Sequence, residues 1–262
     1  MRIIDAHAHI ASWPNVPACA SNLLEGMARH GVEKVLVSHA DCTSFPGEHE
    51  AQVTPLTASE GLRQVLDLCK AHPGKIYAAA WFTPLREETP SDELIRLIKE
   101  NLTYVKALKL HPFCERIAAD DPRLEPYYDL AREFDLPILV HTAVDPDSAI
   151  YHLVNAAKNH PDLRFVAAHL ELCSDHRFAI DNVADMPNIY ADTAWVDIES
   201  ARVAIERMGE DRLLFGTDAP IDGADTLDNP MYLAYFRNEL GFGEETYGKL
   251  MAGNAIALYR LD

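Results

Sequence analysis

Eight short β-rich runs alternate with helical patterns from one end of the chain to the other. This alternation constrains the fold more than any other feature, because a strand that returns through a helix can rejoin its sheet only as a parallel neighbour. The runs fall at residues 3–10, 34–40, 76–82, 105–111, 137–142, 164–170, 188–193 and 212–218. Between them lie helix signals. Thr57 with Glu60, and Asn22 with Glu25, have the spacing of capping boxes, and Gly31 can end the first helix. Ser91 can cap a helix whose Leu94, Ile95, Leu97 and Ile98 form an apolar stripe. Asp121-Pro122 sets a cap before a proline at the first helical position. Lys70-Ala71-His72-Pro73 and Lys158-Asn159-His160-Pro161 read as one helix-to-strand turn used twice. Residues 244–259 are expected to form a last helix on the outside of the fold.

Eight parallel strands could close into a (β/α)8 barrel or stay open as a doubly wound sheet. No Gly-X-Gly-X-X-Gly follows the first run, which removes the usual dinucleotide-binding version of the open sheet. The 262 residues match one barrel, and no Pro- or Ser-rich linker divides them, so residues 1–262 are read as one barrel domain. The longest irregular stretch, residues 41–55, follows the second run and belongs on the face where barrel active-site loops cluster.

The informative residues stand where the runs end. Side chains two apart on a strand share a face. By that rule Asp5, His7 and His9 align, as do Lys109 and His111, Leu139 and His141, Phe165, Ala167 and His169, and Leu214, Gly216 and Asp218. If these sets face inward, one rim gathers His7, His9, His39, Lys109, His111, His141, His169 and Asp218. Several imidazoles with one carboxylate suit zinc or a similar divalent ion, and such an ion can lower the pKa of a bound water. One His-X-His says little, since 12 histidines in this length give roughly 0.5 such pairs by chance. The ordered series of strand-end histidines closed by Asp218 says much more. Asp192 has no side fixed by parity on so short a run and is read as a loop anchor. Trp13 and Trp81 read as core or pocket-shaping rings, and Arg116 as a solvated loop residue that could also meet an anion.

The series resembles the amidohydrolase superfamily, in particular its amidohydrolase-related branch of hydrolases and non-oxidative decarboxylases. The resemblance rests on Ile4-Asp5-Ala6-His7-Ala8-His9, Ala107-Leu108-Lys109-Leu110-His111-Pro112, Ile138-Leu139-Val140-His141-Thr142, Val166-Ala167-Ala168-His169, Leu214-Phe215-Gly216-Thr217-Asp218-Ala219-Pro220 and Gly253-Asn254-Ala255. It spans nearly the whole chain. It implies that His7, His9, His141 and Asp218 ligate a metal, that Asp218 is also the general base, and that His169 polarises substrate or water. In two-metal members a lysine like Lys109 is carboxylated and bridges the ions. One zinc ion is expected here, with two as the alternative, and Lys109 and His111 then serve as a second-metal bridge or bind substrate. The expected activity is hydrolysis of a small amide, ester or lactone by a metal-activated water. Decarboxylation of an aromatic or unsaturated acid is the alternative. A TatD-like nuclease would carry a Glu where Lys109 stands, and a non-catalytic metal-binding barrel would lack the base.

Composition narrows the partners. With 23 basic and 41 acidic residues the formal charge is −18, a field that repels polyanions, so a small molecule, anionic or neutral, is expected rather than nucleic acid. No apolar run nears the roughly 18 residues of a membrane span. Nothing in the sequence bars a homo-oligomer. Cys19, Cys42, Cys69, Cys114 and Cys173 are odd in number and widely spaced, which fits reduced thiols and a cytoplasmic setting. Arg2-Ile3-Ile4 leads straight into the first motif, so no cleaved leader is expected.

Overall fold

The computed structural model describes residues 1–13, 15–44, 55–239 and 241–261. The strands are β1 (Ile4–Ile10), β2 (Lys34–His39), β3 (Ile76–Trp81), β4 (Val105–Leu110), β5 (Ile138–Ala143), β6 (Phe165–Leu172), β7 (Ile189–Asp192) and β8 (Leu213–Leu214). Each pairs in parallel with the next. The last meets the first through Ala6 N–H to Phe215 O (2.8 Å), Asp218 N–H to His7 O (2.7 Å) and His9 N–H to Ala219 O (2.8 Å). The sheet is therefore a closed (β/α)8 barrel, as the alternation predicts. The helices between strands are α1 (Val16–His30), α2 (Ala58–Ala71), α3 (Asp92–Glu100), α4 (Pro112–Glu115), α5 (Glu125–Phe134), α6 (Ile150–Asn159), α7 (Arg177–Val183) and α8 (Ile198–Met208). After β8 come α9 (Pro230–Phe236), α10 (Glu244–Gly248) and α11 (Asn254–Tyr259), the last two joined by a π-helical turn at Lys249–Gly253. Among the described residues no helix is long and apolar enough to cross a membrane.

The strands are buried on both faces because the lumen takes one and the helices the other. Leu36, Ala79, Ala107, Leu139, Val166, Ala168 and Leu214 fill the lower lumen. Ile10, Val35, Val37, Leu108, Val140, Phe165 and Phe215 pack in the larger layer under the helices. The closing segment differs from expectation. Ala252, Ala255, Leu258, Tyr259 and Leu261 join the lumen cluster, so this segment seals the end of the barrel opposite the site rather than lying on its outside. Its small and apolar residues face a core that would otherwise be open to water.

The helix signals hold except one. Thr57 and Glu60 form a capping box, Ser91 caps α3, and Gly31 ends α1 at φ 70°. Asn22 lies inside α1, whose cap is Asn15, seven residues earlier, accepting from Ala18 N–H. Pro17 near the helix start is compatible with that earlier beginning. Of the irregular stretch 41–55, residues 45–54 lie outside the described residues. Its first two residues, Asp41 and Cys42, belong to a 3₁₀ turn at Ala40–Cys42 that packs against α2. Gly61 is required there, since a Cβ would stand 2.1 Å from Cys42 Sγ.

Candidate active site

Parity alone does not build the rim; two local departures from regular strand geometry do. On β1, Ile4 and Ala6 belong to the lumen cluster, yet His7 and His9 also reach the rim. The β1–β2 register slips between Asp5 and Ala8, which lets residues of both parities point inward. On β6, Phe165 and Ala167 do not share a face with His169, contrary to the alternation rule. They pack outward, while Val166 and Ala168 face the lumen. His169, Leu170 and Glu171 then take left-handed φ values of 71°, 45° and 70°, and that turn places the His169 ring among the rim rings. Left-handed backbone at three successive non-glycine residues is costly. Asp192 helps to hold it, accepting from the His169 N–H at 3.1 Å. Asp218 is also left-handed, at φ 63°.

Three donor atoms meet at one point. His7 Nε2 and His9 Nε2 are 3.2 Å apart, and Asp218 Oδ1 is 3.2 Å from the first and 2.9 Å from the second. Atoms that ligate one ion from about 2.1 Å at tetrahedral to octahedral angles stand about 3.0–3.4 Å from one another. The triangle therefore has the edges of a coordination sphere, and a divalent metal fits the donor set. His169 offers a further nitrogen, with its ligand atom and those of His7 and Asp218 all within 4.8 Å.

What lies behind the donors decides which atoms are free to bind. His7 Nδ1–H donates to Asp192 Oδ2 at 2.9 Å, which leaves Nε2 as a bare acceptor. His169 Nδ1–H donates to the Ala194 carbonyl at 3.1 Å with the same result. His9 Nδ1 lies 2.9 Å from Ser38 Oγ. Trp195 Nε1–H donates to Asp218 Oδ2 at 3.0 Å and leaves Oδ1 to the imidazoles. Asp5 accepts from the His7 N–H (3.1 Å) and the Thr217 N–H (3.1 Å), tying β1 to the end of β8. Gly216 keeps the two walls close, since a Cβ there would stand 3.1 Å from His7 Cβ and 3.2 Å from Asp192 Cβ.

The rings form a closed circuit. Centroids are 5.1 Å apart from His7 to His9, 6.1 Å from His9 to Trp81 and 5.7 Å from Trp81 to His111. They are 3.8 Å apart from His111 to His141, 4.8 Å from His141 to His169 and 5.1 Å from His169 back to His7. Trp81, His111 and His141 lie nearly parallel, at 18° and 14°, and form a stack whose ring edges line the cavity. Inside the circuit Lys109 Nζ donates to His7 Nε2 at 3.0 Å and lies 6.0 Å from the Trp81 ring centre. A cavity lined by His9, Thr43, Trp81, Lys109, His111, Cys114, His141, Asp218 and Ile221 opens over this crown.

Burial sets the charges. It lowers the His7, His111 and His141 imidazoles well below their ordinary range, with the Lys109 ammonium adding to the effect at each. It lowers His169 to about 4 and Lys109 to about 8. Burial alone would raise Asp218, but His7, His9 and His169 outweigh it and hold that carboxyl well below the usual range. His7, His111, His141 and His169 are thus neutral imidazoles grouped around one carboxylate.

Of the residues singled out by sequence, His7, His9, Asp218, Lys109 and His169 converge on one point, and His141 and His111 stand in the wall beside it. His39 does not reach the site. Its Nδ1 accepts from the Asp41 N–H, and its Nε2–H donates to Gln64 Oε1 on α2. Asp192 does more than anchor a loop: it accepts from the Ala194 N–H after β7 and also lies wholly buried behind His7. An Asp alternating with Ile189 and Ala191, both packed outward, was the available signal, but it needed the strand's facing to be read. Ser38 and Trp195 had no sequence signal, because what matters is which neighbour from another strand each one meets. Trp13 is exposed, and Arg116 is an exposed residue after α4.

A family model described as amidohydrolase matches residues 4–261. No curated protein matches the sequence. Among solved structures, 2,6-dihydroxybenzoate decarboxylase from Rhizobium is similar at 17% identity and TM-score 0.72, covering 100% of both chains. A 5-carboxyvanillate decarboxylase from Sphingomonas paucimobilis is similar at 16% identity and TM-score 0.72, covering 100% of this chain and 99% of the other. A 5-carboxyvanillate decarboxylase from Novosphingobium aromaticivorans, in complex with manganese and 4-hydroxy-3-methoxy-5-nitrobenzoic acid, is similar at 13% identity and TM-score 0.74. That match covers 99% of this chain and 96% of the other. At these identities the likeness is one of fold.

Proposed function

The chain belongs to the amidohydrolase family of enzymes, and on that premise we propose that it is a metal-dependent, non-oxidative decarboxylase of a small aromatic carboxylic acid. The sequence alone puts hydrolysis first and decarboxylation second; the decarboxylases of similar fold and the buried cation in the cavity favour the second. The observation that carries the reading is Lys109, a buried cation beside the donor triangle in a cavity edged by the stacked rings of Trp81, His111 and His141. An aromatic acid brings a carboxylate to that cation and apolar edges to those rings, which a neutral amide does only in part. The decarboxylases of similar fold support it.

His7, His9 and Asp218 would hold the ion, with His141 and His169 adjacent. One ion is proposed rather than two, and imidazole and carboxylate donors suit zinc and manganese alike. A bound divalent ion would supply a Lewis acid that fixes the acid's oxygens and draws charge from the ring. Lys109 offers a point charge to the carboxylate. Asp218 takes the proton that the acid brings and returns it to the ring carbon bearing the carboxylate. The bond between that carbon and the carboxylate then breaks, its electron pair restores the aromatic ring, and carbon dioxide leaves. Trp195 keeps Asp218 Oδ2 engaged, so Oδ1 is the oxygen on the reacting side.

The test is to load the protein with manganese or zinc, incubate it with hydroxybenzoic acids, and measure evolved carbon dioxide with the matching phenol. Release in equal amounts is expected, with a loss of about 10²-fold or more in Asp218→Asn. Turnover of amides, esters or lactones with no carbon dioxide from any acid would overturn the reading in favour of hydrolysis.

A further inference from the structure

The rim histidines are sorted by tautomer, and His111 falls on the other side of that sorting from its neighbours. His7 and His169 donate from Nδ1, so each presents a bare Nε2 to the site. His111 caps α4: its Nδ1 accepts from the Cys114 N–H at 3.4 Å. A neutral imidazole carries one proton, and an accepting Nδ1 places it on Nε2. His111 Nε2 is therefore a donor and is closed to a metal, which removes the second-metal role the sequence allowed it. Among the described residues no protein group meets that Nε2. The ring lines the cavity and is braced on both faces, by Trp81 and by His141. In the six-ring circuit His111 stands across from His7, on the far side from the donor triangle.

We infer that His111 is a specificity-determining donor, whose Nε2–H holds a second oxygen carried by the substrate's ring at the end away from the metal. The inference rests on the reading of the site as one for an aromatic acid. The ring has two jobs, and two variants separate them. His111→Asn keeps a cap acceptor for the Cys114 N–H, since Asn is among the best cap residues, but loses the distal donor. His111→Phe keeps a flat ring between Trp81 and His141 and loses both nitrogens. A loss common to both variants belongs to the Nε2–H.

The experiment is calorimetric binding of benzoate and of 2-, 3- and 4-hydroxybenzoate to the manganese-loaded protein. At least one hydroxybenzoate should bind the parent protein about tenfold more tightly than benzoate, the worth of one buried hydrogen bond. In both variants that preference should fall towards one, whatever happens to benzoate binding itself. A preference that survives in both, or a parent protein that binds benzoate with no preference for any hydroxybenzoate, overturns the assignment of His111. Failure of all four probes to bind overturns the aromatic-acid reading itself, and this inference with it.

Discussion

Asp192→Asn should cost the protein its metal and not its fold. Asp192 Oδ1 accepts two backbone donors, His169 N–H and Ala194 N–H, both at 3.1 Å, and Oδ2 faces His7 Nδ1 at 2.9 Å. An asparagine keeps its amide oxygen at the Oδ1 position, because the flipped amide would set its NH₂ against both backbone donors. The NH₂ then stands where Oδ2 was and needs an acceptor. His7 supplies one only by moving its proton to Nε2, the atom that points at Asp218. For Nε2 to ligate, His7 must revert, leaving two donors face to face in a fully buried place. An unmade buried hydrogen bond costs about 1–3 kcal/mol, and loss of such a partner behind a ligand weakens metal binding about 10–100-fold. The assay is chelator competition for zinc or manganese, with long-range ¹⁵N spectra of the imidazoles to read the tautomer of His7. Asp192→Ala differs: it orphans three donors at once and should lower stability by roughly 3 kcal/mol or more. Parent-like metal affinity in Asp192→Asn would refute the argument.

Gly216→Ala should destabilise by about 1–3 kcal/mol, since its Cβ is forced against His7 Cβ and Asp192 Cβ, and should weaken metal binding with it. Scanning calorimetry and the same chelator assay check this, and an unchanged melting temperature with unchanged affinity would mean that the walls can part freely. Glu115 is wholly buried on α4, accepts from Ser44 N–H and Oγ–H, and is pushed up to about 7 by burial. Between its unfolded pKa near 4.5 and 7 the unfolded chain has released this proton and the folded one has not, so stability falls as pH rises through that window and is level above it. The shift corresponds to roughly 3 kcal/mol, and Glu115→Gln should remove that slope from urea-denaturation free energies taken at pH 5 and pH 8. A parent protein and variant with parallel pH profiles would show that Glu115 ionises alike in both states.

The sequence by itself determined the architecture, because period and order are local properties. Each run's composition makes it a strand, each capped stripe makes a helix, and eight such pairs in parallel close into a barrel. It also determined that imidazoles and one carboxylate end the strands on one rim, since the ends of parallel strands share a side. The tertiary structure decided the rest. Parity places Ser38 inward and His39 outward on β2, but which parity faces the lumen is set by closure of the sheet. A register slip on β1 and the left-handed turn at His169 override parity where the site needs it, and both are held by contacts from other strands. Which histidine nitrogen carries the proton is decided by Asp192, Ala194 and Cys114, each reached across a turn or from a different element. Protonation is a property of the contact, so residue type and spacing alone could name the histidines but not say which nitrogen each one presents to the site.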